Sequence, residues 1–304
     1  MHQTAQIFVD CRCHLGEGIV WWTPRRALLW TDIEAARLWR HDEEGTRSWA
    51  LPARLGCLAP CQSGALLLGL EKGIFRAHFD PTARDGLRLV RLVDVEPADP
   101  STRVNDGRTD RAGNFIFGTM NQSEGHPATG SFYQWSARRG LRRLDLPRVG
   151  IANSICFSPD GRTMYFCDSP RAQIMACRYD AESAAVTDLR VFATLGPANG
   201  QPDGSIVDTE GCLWNAAWGV GTVRRYRPDG TIDREVAVPA KNPTCVVFGG
   251  DALNELYITS ARQDMSHDEL THTPHAGGVY RAVIDHARGL PDSLFLDDDT
   301  LGRR

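Results

Sequence analysis

Residues 150–169 hold the pattern that organises the rest of the chain. Apolar residues run around Ile155 and Phe157, then again around Met164 and Phe166, and Ser158-Pro-Asp-Gly161 stands between the two runs. Proline presets φ and glycine tolerates the left-handed region, so the chain reverses there and the flanking runs read as two strands of a hairpin. At the mouth of the first strand sits Asn153. An amide buried there without partners would cost about 1–3 kcal/mol, so its presence calls for a polar partner or a ligand.

The turn-then-strand unit recurs at 23–30, 62–68, 110–117, 208–214 and 250–257. With the first this makes six copies spaced roughly 40–50 residues apart, the period of four-stranded propeller blades. Each copy is followed by a short strand, at 36–40, 73–76, 131–135, 173–177, 222–226 and 278–281, and a fourth strand can be drawn for five of them, at 47–51, 87–93, 141–146, 189–193 and 235–238. The sixth lacks one, and either residues 6–9 or residues 293–296 could complete it, which would close the ring and remove exposed sheet edges. Long helical periodicity is missing, and 29 glycines with 17 prolines fit turns better than helices. The pattern predicts an all-β protein, a six-bladed β-propeller with four-stranded blades occupying 1–304 as a single domain. A pair of β-sandwiches would explain the number of strands but not their period.

In a propeller the first strand of each blade lines the central channel, so residues at one position of the repeat converge. The six strands preceding the turns carry Glu17, Cys57, Asn105, Asn153, Asp203 and Thr244 near their starts. Glu17, Asn105, Asn153 and Asp203 would therefore meet. Two carboxylates and two amide oxygens suit a hard or borderline divalent ion, Ca²⁺, Mg²⁺, Mn²⁺, Zn²⁺ or Fe(II), and leave room for water or substrate. The competing reading is a set of strand-end residues that merely hydrogen-bond channel water.

Composition changes this picture little. Apolar residues make up 42% and charged residues 24% of the 304, ordinary for a protein with a substantial core, and the net charge of −4 argues against nucleic acid or a membrane surface as partner. Neither a basic leader nor an apolar run of spanning length is seen, so a cytoplasmic location is expected. Nine cysteines is an odd number, most within strand-like runs, and they read as reduced and buried; Cys11-Arg-Cys13-His14 and Cys57-x-x-x-Cys61 lack a second pair at zinc-site spacing. The His-rich stretch 264–275 reads as a solvated loop near the channel mouth, and Asp106 and Asp208 as strand-end or turn residues. No nucleophile elbow, phosphate loop or dinucleotide fingerprint is present.

Leu15-Gly-Glu-Gly18, the run 103–120 from Arg-Val-Asn-Asp-Gly to Gly-Thr-Met, Asn153-Ser-Ile-Cys-Phe-Ser-Pro-Asp-Gly161, Pro202-Asp-Gly204 and Ile258-Thr-Ser-Ala-Arg262 together resemble the gluconolactonase/regucalcin family, also called senescence marker protein-30. The resemblance implies a six-bladed propeller holding one divalent metal and acting on sugar lactones. By position, Glu17, Asn153 and Asp203 would be metal ligands, and Arg103 and Asn105 would contact substrate. Where the family often places acidic residues after Gly-Thr-Met, this chain has Asn121-Gln-Ser-Glu124-Gly, and either Glu124 takes that role or the sugar selectivity differs. Asp203 is the expected catalytic base, taking a proton from the attacking water and returning it to the ring oxygen that leaves. Hydrolysis of another ester or phosphoester at the same metal site, or a non-catalytic propeller binding calcium or a protein, are the alternatives.

Overall fold

A computed structural model gives the fold and describes residues 3–80 and 86–297. Six sheets, antiparallel apart from one added strand, stand around a common axis, each four-stranded blade with its first inner strand at the axis. Those inner strands are Gly16–Trp22, Leu55–Pro60, Thr102–Thr109, Ala152–Phe157, Gln201–Val207 and Asn242–Gly249. They are buried almost end to end, whereas outer strands such as Ala185–Thr194 are largely exposed. This gradient explains why the repeat is legible: inner strands are apolar on both faces, and outer strands are apolar only where they meet a neighbouring blade. Large aromatics fill the wedges, as where Trp214 meets Phe248 edge-on at 5.5 Å between blades 5 and 6.

Ring closure uses the first of the two candidate segments. Gln6–Val9 pairs antiparallel with Val279–Val283 and completes blade 6, while Gln3–Thr4 adds a fifth, parallel strand to blade 5. Ala5 between them is fully buried and donates to Ala237 O at 2.8 Å, so one short segment ties two blades together. Residues 293–296 do something else. With the residues before them they cross the far end of the channel, where Gly289 bridges to Asp208, Phe295 to Cys61, and Leu296 N donates to Gly113 O. Asp292 accepts from Arg108 Nη1 at 3.0 Å and from Trp21 N at 3.1 Å, a nearly buried ion pair that closes the channel floor.

The template hairpin forms as expected, with Gly161 in the left-handed region at φ 71° and its N–H closing the turn on Ser158 O at 2.9 Å. The stretch 264–275 departs from a plain loop: His267–His272 is a helix. Ser266 and Glu269 form its capping box, a signal present in the sequence as Ser-x-x-Glu. All nine cysteines are free thiols, and eight are buried.

Candidate active site

Every inner strand carries a one-residue register shift close to its mouth, for example between Glu17 and Val20, between Val104 and Gly107, between Asn153 and Cys156 and between Pro202 and Ser205. Such a bulge interrupts the ladder and re-aims the neighbouring side chain. Gly18 and Ser154 sit in these bulges with φ near 58° and 60°. Serine is held there because its Oγ donates to Asp203 O at 2.5 Å. At the same level a Cβ on Gly56 would stand 2.5 Å from the carbonyl oxygens of Val104 and Asn105, so only glycine lets blades 2 and 3 close on the axis.

The four expected side chains converge. Glu17, Asn105, Asn153 and Asp203 are all buried and share the wall of one cavity of about 720 Å³ at the open end of the channel, with Arg103 beside them. Asn105 Nδ2 donates to Asn153 Oδ1 and to Ala152 O, both at 3.0 Å, and Asn153 Nδ2 donates to Ser169 Oγ at 3.0 Å. Ser169 Oγ in turn donates to Pro202 O at 2.8 Å, so one hydroxyl fixes the Asn153 amide and the residue preceding Asp203. Opposite this polar side, Leu15, Ile33 and Trp218 make an apolar one.

Glu17 and Asp203 are buried together in the cavity wall, and both carboxyls are pushed upward. Burial is the main cause for each. For Glu17, raised to about 8, the charge of Asp106 adds to it, and for Asp203 the charges of Glu17 and then Asp106 do. Asp203 Oδ1 is buried without a hydrogen-bond partner among the described residues. Two repelling buried acids, an unpartnered carboxylate oxygen and an amide oxygen are what a divalent cation would satisfy, so the residues fit the hard-ion site that the pattern suggested. No set of three or more His, Cys, Asp or Glu that could hold a metal occurs among the described residues, so a cation bound here would need an amide oxygen beside the two carboxyls, and Asn153 is the neighbouring residue that could offer one.

Arg103 is buried, and desolvation, followed by the charge of Arg54, lowers its pKa to about 10. Its Nη1 donates to Val104 O and to Asn105 Oδ1 at 2.6 Å, and it forms no ion pair among the described residues. Asn105 has therefore committed both amide hydrogens within the protein, and a lone pair on Oδ1 is what it can offer a ligand. Asp106 is a structural residue: it accepts from Gly107 N and, across to blade 4, from Ile155 N at 2.8 Å, satisfying an amide in that strand's bulge. Glu124 is the exception among the expected residues. It is exposed at the tip of a turn and is not part of the cavity wall, whereas Gly125 and His126 are. The sequence reading also missed Ser169, Trp218 and Gln263, which join the wall from strand ends and loops.

Six blades around a channel, with an acid-amide cluster at its open end, place the chain among the six-bladed β-propellers. Residues 15–262 match the family described as the SMP-30/Gluconolactonase/LRE-like region, and the chain belongs to that family. It is 46% identical over 287 residues to an L-arabinolactonase of Azospirillum brasilense, covering 93% of each chain. It is 33% identical to a 6-deoxy-6-sulfogluconolactonase of Pseudomonas putida, over 97% of this chain and 99% of the relative. Among solved structures it resembles regucalcin from Agrobacterium tumefaciens, described as a calcium-binding protein, with TM-score 0.89 and 31% identity over 97% of this chain and 99% of the other.

Proposed function

We propose that the protein is a carboxylic-ester hydrolase that opens a sugar lactone to its aldonic acid, with a divalent cation held by Glu17, Asn153 and Asp203. The observation that carries this reading is the pair of buried, mutually repelling carboxyls beside Asn153 in a channel with one mouth. A bound cation would supply Lewis acidity toward the ester carbonyl and acidify water. Asp203 presents its unpartnered Oδ1 to the attacking water, removes a proton and returns it to the departing ring oxygen. Arg103 donates from its uncommitted N–H groups to a sugar or carbonyl oxygen, and Asn105 accepts from a hydroxyl. Leu15, Ile33 and Trp218 cover the apolar C–H face of the ring.

The relative with 46% identity is named an L-arabinolactonase, so a pentonolactone is the favoured substrate. Proton release from the lactones of L-arabinonate, D-xylonate, D-galactonate and D-gluconate tests this. The lactone of L-arabinonate should open with the highest kcat/KM, and no acceleration above spontaneous opening with any of them would remove the lactonase reading. Eight buried free thiols support a reducing, cytoplasmic setting, and no helix among the described residues is long and apolar enough to cross a membrane.

Ser169 should tune cation binding without touching the cation. Replacing Ser169 by Ala frees the Asn153 amide to rotate, and the affinity for Mn²⁺ measured by calorimetry should fall roughly 10–100-fold, with Ser169→Thr restoring most of it. Unchanged affinity in Ser169→Ala would remove its positioning role.

A further inference from the structure

The loop after the second strand of blade 3 (Phe115–Asn121) is built to deliver a histidine, not a carboxylate, to the cavity. Asn121 Oδ1 accepts from Ser123 N at 2.7 Å, and His126 N closes a turn on Ser123 O at 3.0 Å. Glu124 therefore rides outward at the tip. Gly125 and His126 both lie in the left-handed region, at φ 74° and 44°. Glycine does this freely, whereas for histidine the conformation carries strain that the surroundings must hold. They do so closely: a Cβ on Gly150 would stand 2.4 Å from His126 O, so the loop can settle against blade 4 only because residue 150 is glycine. His126 Nδ1 lies 2.7 Å from Asn121 O. A carbonyl only accepts, so Nδ1 carries a proton, and in the neutral imidazole that leaves Nε2 as the acceptor; His126 lines the cavity with Arg103 and Asn105.

We infer that His126 is the specificity contact of this site: its Nε2 accepts a hydrogen bond from one hydroxyl of the sugar lactone, the part the sequence had offered to Glu124. The inference rests on the lactonase reading. With Arg103 as a donor and His126 and Asn105 as acceptors, the wall reads hydroxyl positions on the ring, and an analogue lacking the hydroxyl that meets His126 is discriminated against.

The test compares the best lactone with its deoxy analogues, one hydroxyl removed at a time, on wild type, His126→Asn and Glu124→Gln. Asparagine tolerates the left-handed backbone and keeps the turn but is too short to replace Nε2. Wild type should lose about tenfold in kcat/KM on one deoxy analogue, mostly through KM. His126→Asn should show that same loss on the parent lactone and no further loss on that analogue, with Mn²⁺ affinity and melting temperature near wild type. His126→Gln, which restores an acceptor of similar reach, should recover part of the discrimination and serves if the asparagine variant folds poorly. Full wild-type discrimination in both variants, or its loss in Glu124→Gln, would overturn the inference. Wild type that opens no lactone would overturn the lactonase reading itself, and the inference with it.

Discussion

Replacing Asp203 by Ala should lower kcat/KM on the preferred lactone by at least roughly a thousandfold, since it removes the proton acceptor and an anionic cation ligand together. The fold should not suffer. The Asp203 carboxyl forms no ion pair among the described residues, and in the absence of cation it stands against the charges of Glu17 and Asp106. Removing it relieves that repulsion, while the backbone ties from Ser154 Oγ and Asn215 Nδ2 to Asp203 O remain. In chelator, therefore, Asp203→Ala should melt at or above the temperature of wild type, and in excess Mn²⁺ wild type should gain stability that the variant does not. Metal-loaded Asp203→Ala retaining more than about a tenth of wild-type turnover would end its role as the base.

Asp208→Ala should be among the most destabilising single changes in the protein, by about 3–5 kcal/mol in urea unfolding. This carboxylate is wholly buried in blade 5 and accepts from Glu210 N, Cys212 N, Trp214 Nε1 and Arg225 Nε, all between 2.8 and 3.0 Å. Its loss leaves an indole N–H and two turn amides without partners and weakens the cluster that Arg225 forms with Glu210 and Asp233. Kinetic constants of the folded fraction should not change, because Asp208 lies at the turn end of its strand, away from the channel mouth. A loss below about 1 kcal/mol would mean that the remaining acids hold Arg225 unaided.

These two aspartates show what the chain disclosed unaided. Asp208 stands in a turn signature and Asp203 three residues into an inner strand, so the repeat alone separates a structural acid from a channel acid. Glu17, Asn105 and Asn153 were legible for the same reason: the propeller makes one position of a repeat converge, and polar residues at that position stand out against apolar strands. The direction of their hydrogen bonds was not legible. That Asn105 spends both amide hydrogens on Ala152 and Asn153 depends on two neighbouring blades meeting beside the channel.

His126 was hidden more deeply. Its approach depends on a left-handed backbone and on the missing side chain of Gly150, distant in sequence, and no periodicity records either. Glu124 attracted attention by its chemistry, yet the turn points it outward. Residues 293–296 read as a possible blade strand because Leu294, Phe295 and Leu296 form a short apolar run. The run serves instead to set Phe295 into the wedge between blades 2 and 3 while Asp292 meets Arg108 across the channel floor.

The measurement closest to the central claim is proton release from the lactone of L-arabinonate by protein stripped of metal with a chelator and then reloaded with Ca²⁺, Mg²⁺, Mn²⁺, Zn²⁺ or Fe²⁺ singly. Stripped protein, folded by circular dichroism, should do no better than spontaneous ring opening, and at least one ion should restore the untreated rate. Undiminished hydrolysis by the stripped protein would contradict the site assigned to Glu17, Asn153 and Asp203.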